Sequence, residues 1–248
     1  MPSCGLGAES VLRAKGLAKS YRGRPVACDV SLAVERGEAV ALLGRNGAGK
    51  TTVFSIIAGL LPADRGRILL DDCDVTELPL YQRARRGISY LPQQPSIFGG
   101  LTVEQNILLV LEMHESNSVA RKRQLRQLLC DFGLESARTR LAAALSGGER
   151  RRCEIARALA SKPSFVLLDE PFAGVDPLLA SDIRVIVGYL TCRGIGVLIT
   201  DHDVRQTLAL VDRAYVIESG RILVHGTSEA VLHSPEARRA YLGEDFRM

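Results

Sequence analysis

The 248-residue sequence has no tryptophan, no Cys-x-x-Cys pair, no internal repeat and no low-complexity segment. None of its apolar runs approaches the ~18 residues that a membrane-spanning helix needs. Its six cysteines, Cys4, Cys28, Cys73, Cys130, Cys153 and Cys192, are scattered. That spacing argues against a zinc ribbon or a disulfide framework, so reduced thiols and a cytoplasmic setting are expected. The first ten residues lack a basic segment followed by an apolar core, so no export signal is expected. Charge is nearly balanced, with 32 Lys and Arg against 28 Asp and Glu, a net +4. A dedicated nucleic-acid binder would carry a stronger basic excess. Any contact with a membrane is therefore expected to run through another chain. What remains is ordinary globular composition in a length that holds one large domain or two lobes.

The most informative stretch is Gly44-Arg45-Asn46-Gly47-Ala48-Gly49-Lys50-Thr51-Thr52. An apolar run, Ala39-Val40-Ala41-Leu42-Leu43, precedes it and reads as a buried strand. Val53-Phe54-Ser55-Ile56-Ile57-Ala58 follows and reads as a helix. Strand, G-x-x-x-x-G-K-[ST] loop and helix together define a phosphate-binding context. The glycines let backbone N–H groups turn inward, and the helix N-terminus adds partial positive charge. Lys50 would reach the β- and γ-phosphates, and the Thr51 hydroxyl would ligate Mg²⁺. The fixed positions match by chance in about one per cent of chains this long, so nucleotide binding is preferred to a bare Gly-rich turn.

Upstream, alternation over residues 11–34 with turn signals at Tyr21-Arg22-Gly23 and Arg36-Gly37 predicts antiparallel strands. Tyr21 falls in a loop there, where its ring either packs internally or stacks on a base. Gly66-Arg67-Ile68-Leu69-Leu70-Asp71 reads as a strand, with Asp64-Arg65-Gly66 as its turn. Helical signals dominate residues 101–161. Thr102 and Gln105 fit a capping box. Leu125, Leu128, Leu129 and Phe132 share one helical face, while Arg121, Lys122, Arg123 and Arg126 read as its solvated side. Two apolar strands follow, Phe165-Val166-Leu167-Leu168 and Gly196-Val197-Leu198-Ile199-Thr200, with a helix over 178–190 between them. Glu218-Ser219-Gly220-Arg221 is the turn of a hairpin. Residues 229–248 read as a short helix and tail. The expected fold is α/β, a single domain over 11–243. Its core lobe covers about 11–93 and 162–228, with an antiparallel β part, and a helical insertion covers about 94–161.

Asp169 and Glu170 end an apolar strand, where an open α/β sheet delivers side chains to the ligand crevice. Asp169 suits the Mg²⁺ shell, and Glu170 could polarise the attacking water as a general base. Leu145-Ser146-Gly147-Gly148-Glu149 opens a helix and reads either as a second anion site or as a simple N-cap. One triphosphate has no use for two such sites in one chain, so the anion reading implies a nucleotide held by a second copy. His202, after a strand, is either structural or a γ-phosphate contact. Gln93 is either an ordinary loop residue or a link between Mg²⁺, the water and the helical insertion.

This ordered set resembles the ATP-binding cassette of ABC transporters over nearly the full chain. The discriminating element is Leu145-Ser146-Gly147-Gly148-Glu149, which other P-loop NTPases lack. The resemblance implies ATP and Mg²⁺ as ligands, Tyr21 as the adenine-stacking residue and Gln93 as the Q-loop glutamine. It also implies His202 as the switch histidine, and Gly174-Val175-Asp176-Pro177 as a loop whose Asp176 crosses to the partner subunit. A homodimer with ATP sandwiched between chains is implied, working with two membrane-spanning permease subunits on the cytoplasmic face of the inner membrane. Several segments are similar to the ATPases of lipopolysaccharide-export transporters. Among them are Tyr90-Leu91-Pro92-Gln93, Ser96-Ile97-Phe98 and Tyr241-Leu242-Gly243-Glu244-Asp245-Phe246-Arg247. Arg45 in place of the commoner proline, and Gly99-Gly100 in place of basic residues, depart from that pattern. Arg45 is shared with branched-chain amino acid importers, the first alternative; a non-transport ATPase of the same family is the second. Tyr90 and Phe98 flank Gln93 and are expected to line the gap between the lobes.

Overall fold

Five consecutive buried residues make β3 (Ala39–Leu43) the centre of a parallel sheet, as a strand covered on both faces requires. The computed structural model describes residues 10–173 and 177–242. Before β3, strand β1 (Val11–Tyr21) turns through Arg22 and Gly23, both at positive φ, into antiparallel β2 (Arg24–Glu35). After it, the phosphate loop feeds α1 (Lys50–Ala58), which ends on Gly59 at φ 82°. Strands β4 (Arg65–Leu70) and β5 (Cys73–Asp74) return to the first sheet, of order β2-β1-β4-β5. Helix α2 (Leu80–Arg85) then leads to β6 (Ile88–Leu91).

The helical segment contains α3 (Val103–His114), α4 (Ser118–Asp131) and α5 (Gly147–Leu159). The chain returns through β7 (Phe165–Asp169), α6 (Pro177–Cys192), β8 (Gly196–Thr200) and α7 (Val204–Leu208). The hairpin β9 (Arg213–Glu218) and β10 (Arg221–Thr227) precedes α8 (Ser228–His233) and α9 (Pro235–Ala237). The second sheet has the order β10-β9-β3-β8-β7-β6. Its strands run parallel except β10, which pairs antiparallel with β9.

Two apolar cores hold these layers. One lies around α1 and both sheets and includes Leu12, Val30, Phe54, Ile68 and Leu167. The other joins Leu43, Leu168 and Ile199 of the parallel sheet to Ile107, Leu129 and Ile155 of the helical segment. The helical segment therefore buries its apolar faces in the same core as the sheet. On α4, Leu125, Leu128 and Leu129 are buried while Lys122, Arg123 and Arg126 are exposed, the expected solvated face. Both halves of the Thr102–Gln105 capping box are present.

Two expectations are corrected. Arg65 belongs to β4 and not to the turn before it, while Gly66 lies in the strand as expected. A Cβ on Gly66 would lie 2.5 Å from the Gly16 carbonyl oxygen, so this strand needs glycine for close backbone approach. Over the described residues after β10 the helix is broken at Ser234, which caps a new start with Pro235 in its first turn and a π-helical turn (Arg238–Leu242) after it.

Arg83 is 2% exposed, and its guanidinium donates to the carbonyls of Ile56, Ile57, Thr76 and Leu78. Ile56 and Ile57 lie in the last turn of α1, where the helix dipole favours a cation. Burial pushes the Arg83 pKa down to about 10, against the pull of Glu77 and Asp74. Among the described residues, no helix is long and apolar enough to cross a membrane.

Candidate active site

The phosphate loop packs backbone against backbone. A Cβ on Gly44 would meet the Ile217 oxygen at 2.3 Å, and one on Gly49 would meet the Val26 oxygen at 2.4 Å. Both positions also have positive φ, so glycine is required twice over. Gly49 is the N-cap of α1 and supplies no side-chain cap. Lys50 is 5% exposed and donates to the carbonyls of Gly44 at 2.5 Å and Arg45 at 3.1 Å. Burial lowers the Lys50 pKa, with Glu170 and Asp201 pulling it back up. An open cleft of about 510 Å³ lies here, lined by Val26, Asn46, Gly47, Thr51, Glu170 and His202, with Gly49, Lys50 and Thr52 beneath.

The parallel strands β7 and β8 end beside this cleft, where Glu170 and His202 line it. Burial raises the Asp169 pKa, Glu170 and Asp201 raise it further, and a hydrogen bond from Tyr90 at 3.0 Å opposes them. Glu170 has φ 42°, a left-handed backbone that costs a non-glycine residue about 1 kcal/mol or more. Its N–H donates to the Thr200 carbonyl at 2.7 Å, which fixes the kink against β8. Asp201 is fully buried and accepts from the N–H groups of Phe172 and Asp203, each at 2.8 Å. His202 Nδ1 lies 3.7 Å from Glu170 and 3.6 Å from Asp201, and its ring is 55% exposed.

The loop before α5 is built differently. The Ser146 hydroxyl accepts from the Glu149 N–H at 3.3 Å, and Glu149 accepts from the Ser146 N–H at 2.9 Å. Arg140 donates to the same carboxylate at 2.9 Å, and these contacts, the Ser146 N–H first, lower the Glu149 pKa. A second cleft adjoins it, lined by Gln93, Gly147, Arg150, Arg151, Glu154 and Glu170. The segment around Gln93 is tied to α5. Arg151 donates to the Pro92 carbonyl, Glu154 accepts from the Ser96 N–H and Arg157 donates to the Ser96 carbonyl and hydroxyl.

The candidate residues thus fall into two groups that share Glu170. Asn46, Gly47, Gly49, Lys50, Thr51, Thr52, Glu170 and His202 line the phosphate cleft. Gln93 and Gly147 line its neighbour, and none of residues 146–149 reaches the phosphate cleft of its own chain. Tyr21 ends β1, 45% exposed, and does not line the cleft. Arg45 is exposed and Ala48 buried. Residues 174–176 and 243–248 lie outside the described residues. Tyr90 was expected at the gap between lobes. It sits instead in β6 with its hydroxyl on Asp169 and its ring 6.2 Å from that of Phe54. Phe98 is 50% exposed under the Arg157 guanidinium. Sequence reasoning missed Asp201, although Thr200-Asp201-His202 at a strand end carried the same signal as Asp169-Glu170.

These residues fit a nucleotide with Mg²⁺. The cradle at Gly47 has positive φ and is open where a Cβ would stand. Asp169 is an acid raised by burial and by two neighbouring carboxylates, a crowding that a divalent cation relieves. Few protein ligands are at hand, and Mg²⁺ takes one or two carboxylates and completes its shell with water and phosphate oxygens.

The family profile described as ABC transporter matches residues 27–173. The chain belongs to the ABC transporter family, as one of its ATP-binding cassettes. It is 61% identical over 241 residues to a probable ABC transporter ATP-binding protein of Azorhizobium caulinodans, covering 97% of this chain and 86% of that one. It is 52% identical over 240 residues to the lipopolysaccharide export system ATP-binding protein LptB of Escherichia coli K12, covering 96% and 100%. Among solved structures, the ADP conformation of the cassette MJ1267 superposes with a TM-score of 0.84 at 30% identity, covering 96% and 100%. A dimeric post-hydrolysis state of the cassette MJ0796 with ADP and Pi gives 0.75 at 25% identity, covering 88% and 98%. The chain is thus an ATPase of the transport-coupled class, on the α/β cassette fold that the sequence predicts.

Proposed function

We propose that this chain is the ATP-hydrolysing motor subunit of a transporter that extracts lipopolysaccharide from the inner membrane for export. The single observation that carries the motor reading is the division of the site into two clefts that meet at Glu170. Lys50 holds the β- and γ-phosphates after exchanging its carbonyl partners for phosphate oxygens, and the α1 N-terminus cradles them. Asn46, Gly47, Ala48, Gly49 and Thr52 complete the cradle from the backbone, and Tyr21 stacks on the adenine. Thr51 and Asp169, with Gln93 nearby, would hold Mg²⁺, which would supply charge neutralisation at the phosphates. Glu170 Oε2 takes the proton of the attacking water, and His202 orients that carboxylate and contacts the γ-phosphate.

Residues 146–148 act in trans. Their absence from the phosphate cleft of the same chain supports a homodimer in which each copy closes the other's site. The dimeric form of the MJ0796 cassette supports the same arrangement. The domain divides into the lobes predicted above, about 11–93 with 162–228 and about 94–161. Two permease subunits dock at the gap between them and hold the chain on the cytoplasmic face of the membrane. Exposed Phe98 beside the Gln93 segment supports that docking. The lipopolysaccharide assignment is supported by LptB of Escherichia coli, matched over its whole length. The test is purification from native membranes with identification of the co-purifying chains, paired with depletion in vivo. Recovery of two permeases and retention of lipopolysaccharide in the inner membrane is expected. Recovery of amino acid permeases with normal lipopolysaccharide export overturns the substrate assignment.

A further inference from the structure

The hairpin turn between β9 and β10 lies far from the phosphate loop in sequence and directly against it in space. Ser219 and Gly220 both have positive φ, 49° and 78°, the backbone of a two-residue turn that matches strand twist. Gly220 makes two hydrogen bonds outside its own hairpin. Its N–H donates to the Ala48 carbonyl at 3.0 Å, and its carbonyl accepts from the Cys28 N–H on β2 at 2.7 Å. The chain of contacts continues inward. The Ala48 N–H donates to the Arg45 carbonyl at 3.1 Å, and Lys50 Nζ donates to that same carbonyl, also at 3.1 Å. Four links therefore run from the antiparallel sheet through Gly220 to the ammonium group of Lys50.

There is no room for a side chain in this path. A Cβ on Gly220 would lie 2.6 Å from the Val26 oxygen and 3.3 Å from the Ala27 Cα. Val26 itself lines the phosphate cleft and abuts Gly49. Gly44 and Gly49 each allow one backbone contact between the phosphate loop and a strand beside it, and Gly220 allows one between the hairpin turn and β2.

We propose that Gly220 is a positioning residue for nucleotide binding, a backbone strap that presets the phosphate loop from outside the cleft. A loop held in its binding shape before the ligand arrives loses less conformational freedom on binding, so the strap acts on affinity more than on chemistry. The inference rests on the assignment of the cleft to a nucleotide.

The test compares Gly220→Ala with Gly133→Ala. Gly133 also has positive φ, 59°, but a Cβ there meets nothing within 4 Å, so its substitution reports backbone strain alone. Mg-ADP and Mg-ATP binding are measured by calorimetry and steady-state hydrolysis by phosphate release. Gly220→Ala is expected to raise the dissociation constant and KM by roughly tenfold and leave kcat within about twofold. Gly133→Ala is expected to lower the melting temperature and leave nucleotide affinity within about twofold. Wild-type affinity in folded Gly220→Ala, or an equal loss in both variants, overturns the strap. Should Gly220→Ala fail to fold, hydrogen exchange on the wild-type protein decides. Mg-ADP is expected to slow exchange at the Gly220 and Cys28 amides, and unchanged exchange there overturns the proposal. Failure of the wild-type protein itself to bind Mg-ADP is a separate outcome and counts against the nucleotide assignment.

Discussion

Two glycine-rich loops open two helices in this chain, and they are finished in opposite ways. The loop before α1 leaves its helix without a side-chain cap and buries the first helical residue, Lys50, among carbonyls. The loop before α5 closes a full capping box between Ser146 and Glu149, and Arg140 reinforces it. An uncapped N-terminus keeps unpaired N–H groups, tolerable where a ligand with many acceptor oxygens will take them up. A capped one stands stably in solvent and offers only what the cap leaves over. On the proposed function, the first loop holds phosphate within its own chain and the second stays exposed until another copy arrives. Glu170, on both clefts, is the residue where the two arrangements meet.

The largest effect expected falls on that shared residue. Glu170→Gln keeps nucleotide binding and slows hydrolysis by roughly 10²–10⁴-fold, measured by phosphate release at saturating Mg-ATP. Near-wild-type turnover would remove Glu170 from the chemistry. Next come the loops themselves. Lys50→Ala weakens Mg-ATP binding by about 10–10²-fold, the loss of a charged hydrogen-bonding partner. It also abolishes the ATP-dependent dimer of Glu170→Gln in sedimentation. Ser146→Asp keeps a competent cap and leaves the affinity of the single chain within about twofold, yet loses the same dimer, because its charge meets phosphate across the interface. If Ser146→Asp weakens binding by the monomer, the loops act in one chain and the contrast fails.

Smaller effects test the caps. Ser146→Ala removes the hydroxyl that accepts from Glu149 and lowers stability by about 1 kcal/mol, or roughly 2–4 °C in melting temperature. No change would mean that the box is ornamental. The last expectation concerns Asp169, whose pKa is raised by burial first and by Glu170 and Asp201 next. A carboxyl raised on folding favours the native state most below its unfolded pKa of about 3.8, and that advantage is lost as pH rises through the folded value. The ionised group therefore works against the fold at pH 7. Asp169→Asn raises the melting temperature of the nucleotide-free protein by about 2 °C or more at pH 7, with the gain shrinking as pH falls toward 4. An equal gain at both pH values would show that charge is not its origin.

Much of this arrangement was legible in the chain itself. Local chemistry shows in local sequence. The apolar run before Gly44 and the turn residues Ser219-Gly220 carry their element type in their own composition, and the box from Thr102 to Gln105 is satisfied within three residues. What escaped were contacts set by the fold. Tyr90 reads as a flank of Gln93, but strand alternation in β6 points its hydroxyl at Asp169, 79 residues on. Gly66 reads as the joint of a turn and a strand, and only its approach to Gly16 shows why the strand needs a glycine. Gln93 reads either as a loop residue or as a link to the helical insertion, and the fold lines with it a cleft that shares Glu170 with the phosphate cleft.

Arg83 has a mechanical consequence. One guanidinium gathers the carbonyls of Ile56 and Ile57 from α1 and of Thr76 and Leu78 from the segment ahead of α2. With a pKa of about 10 it keeps its proton at pH 7, so acidity in the physiological range never loosens the joint. Neither α2 nor the far end of α1 can shift alone without leaving carbonyls unpaired in a buried place. Arg83 therefore ties α2 to the end of α1 that lies opposite the phosphate loop, so the two helices share one buried anchor.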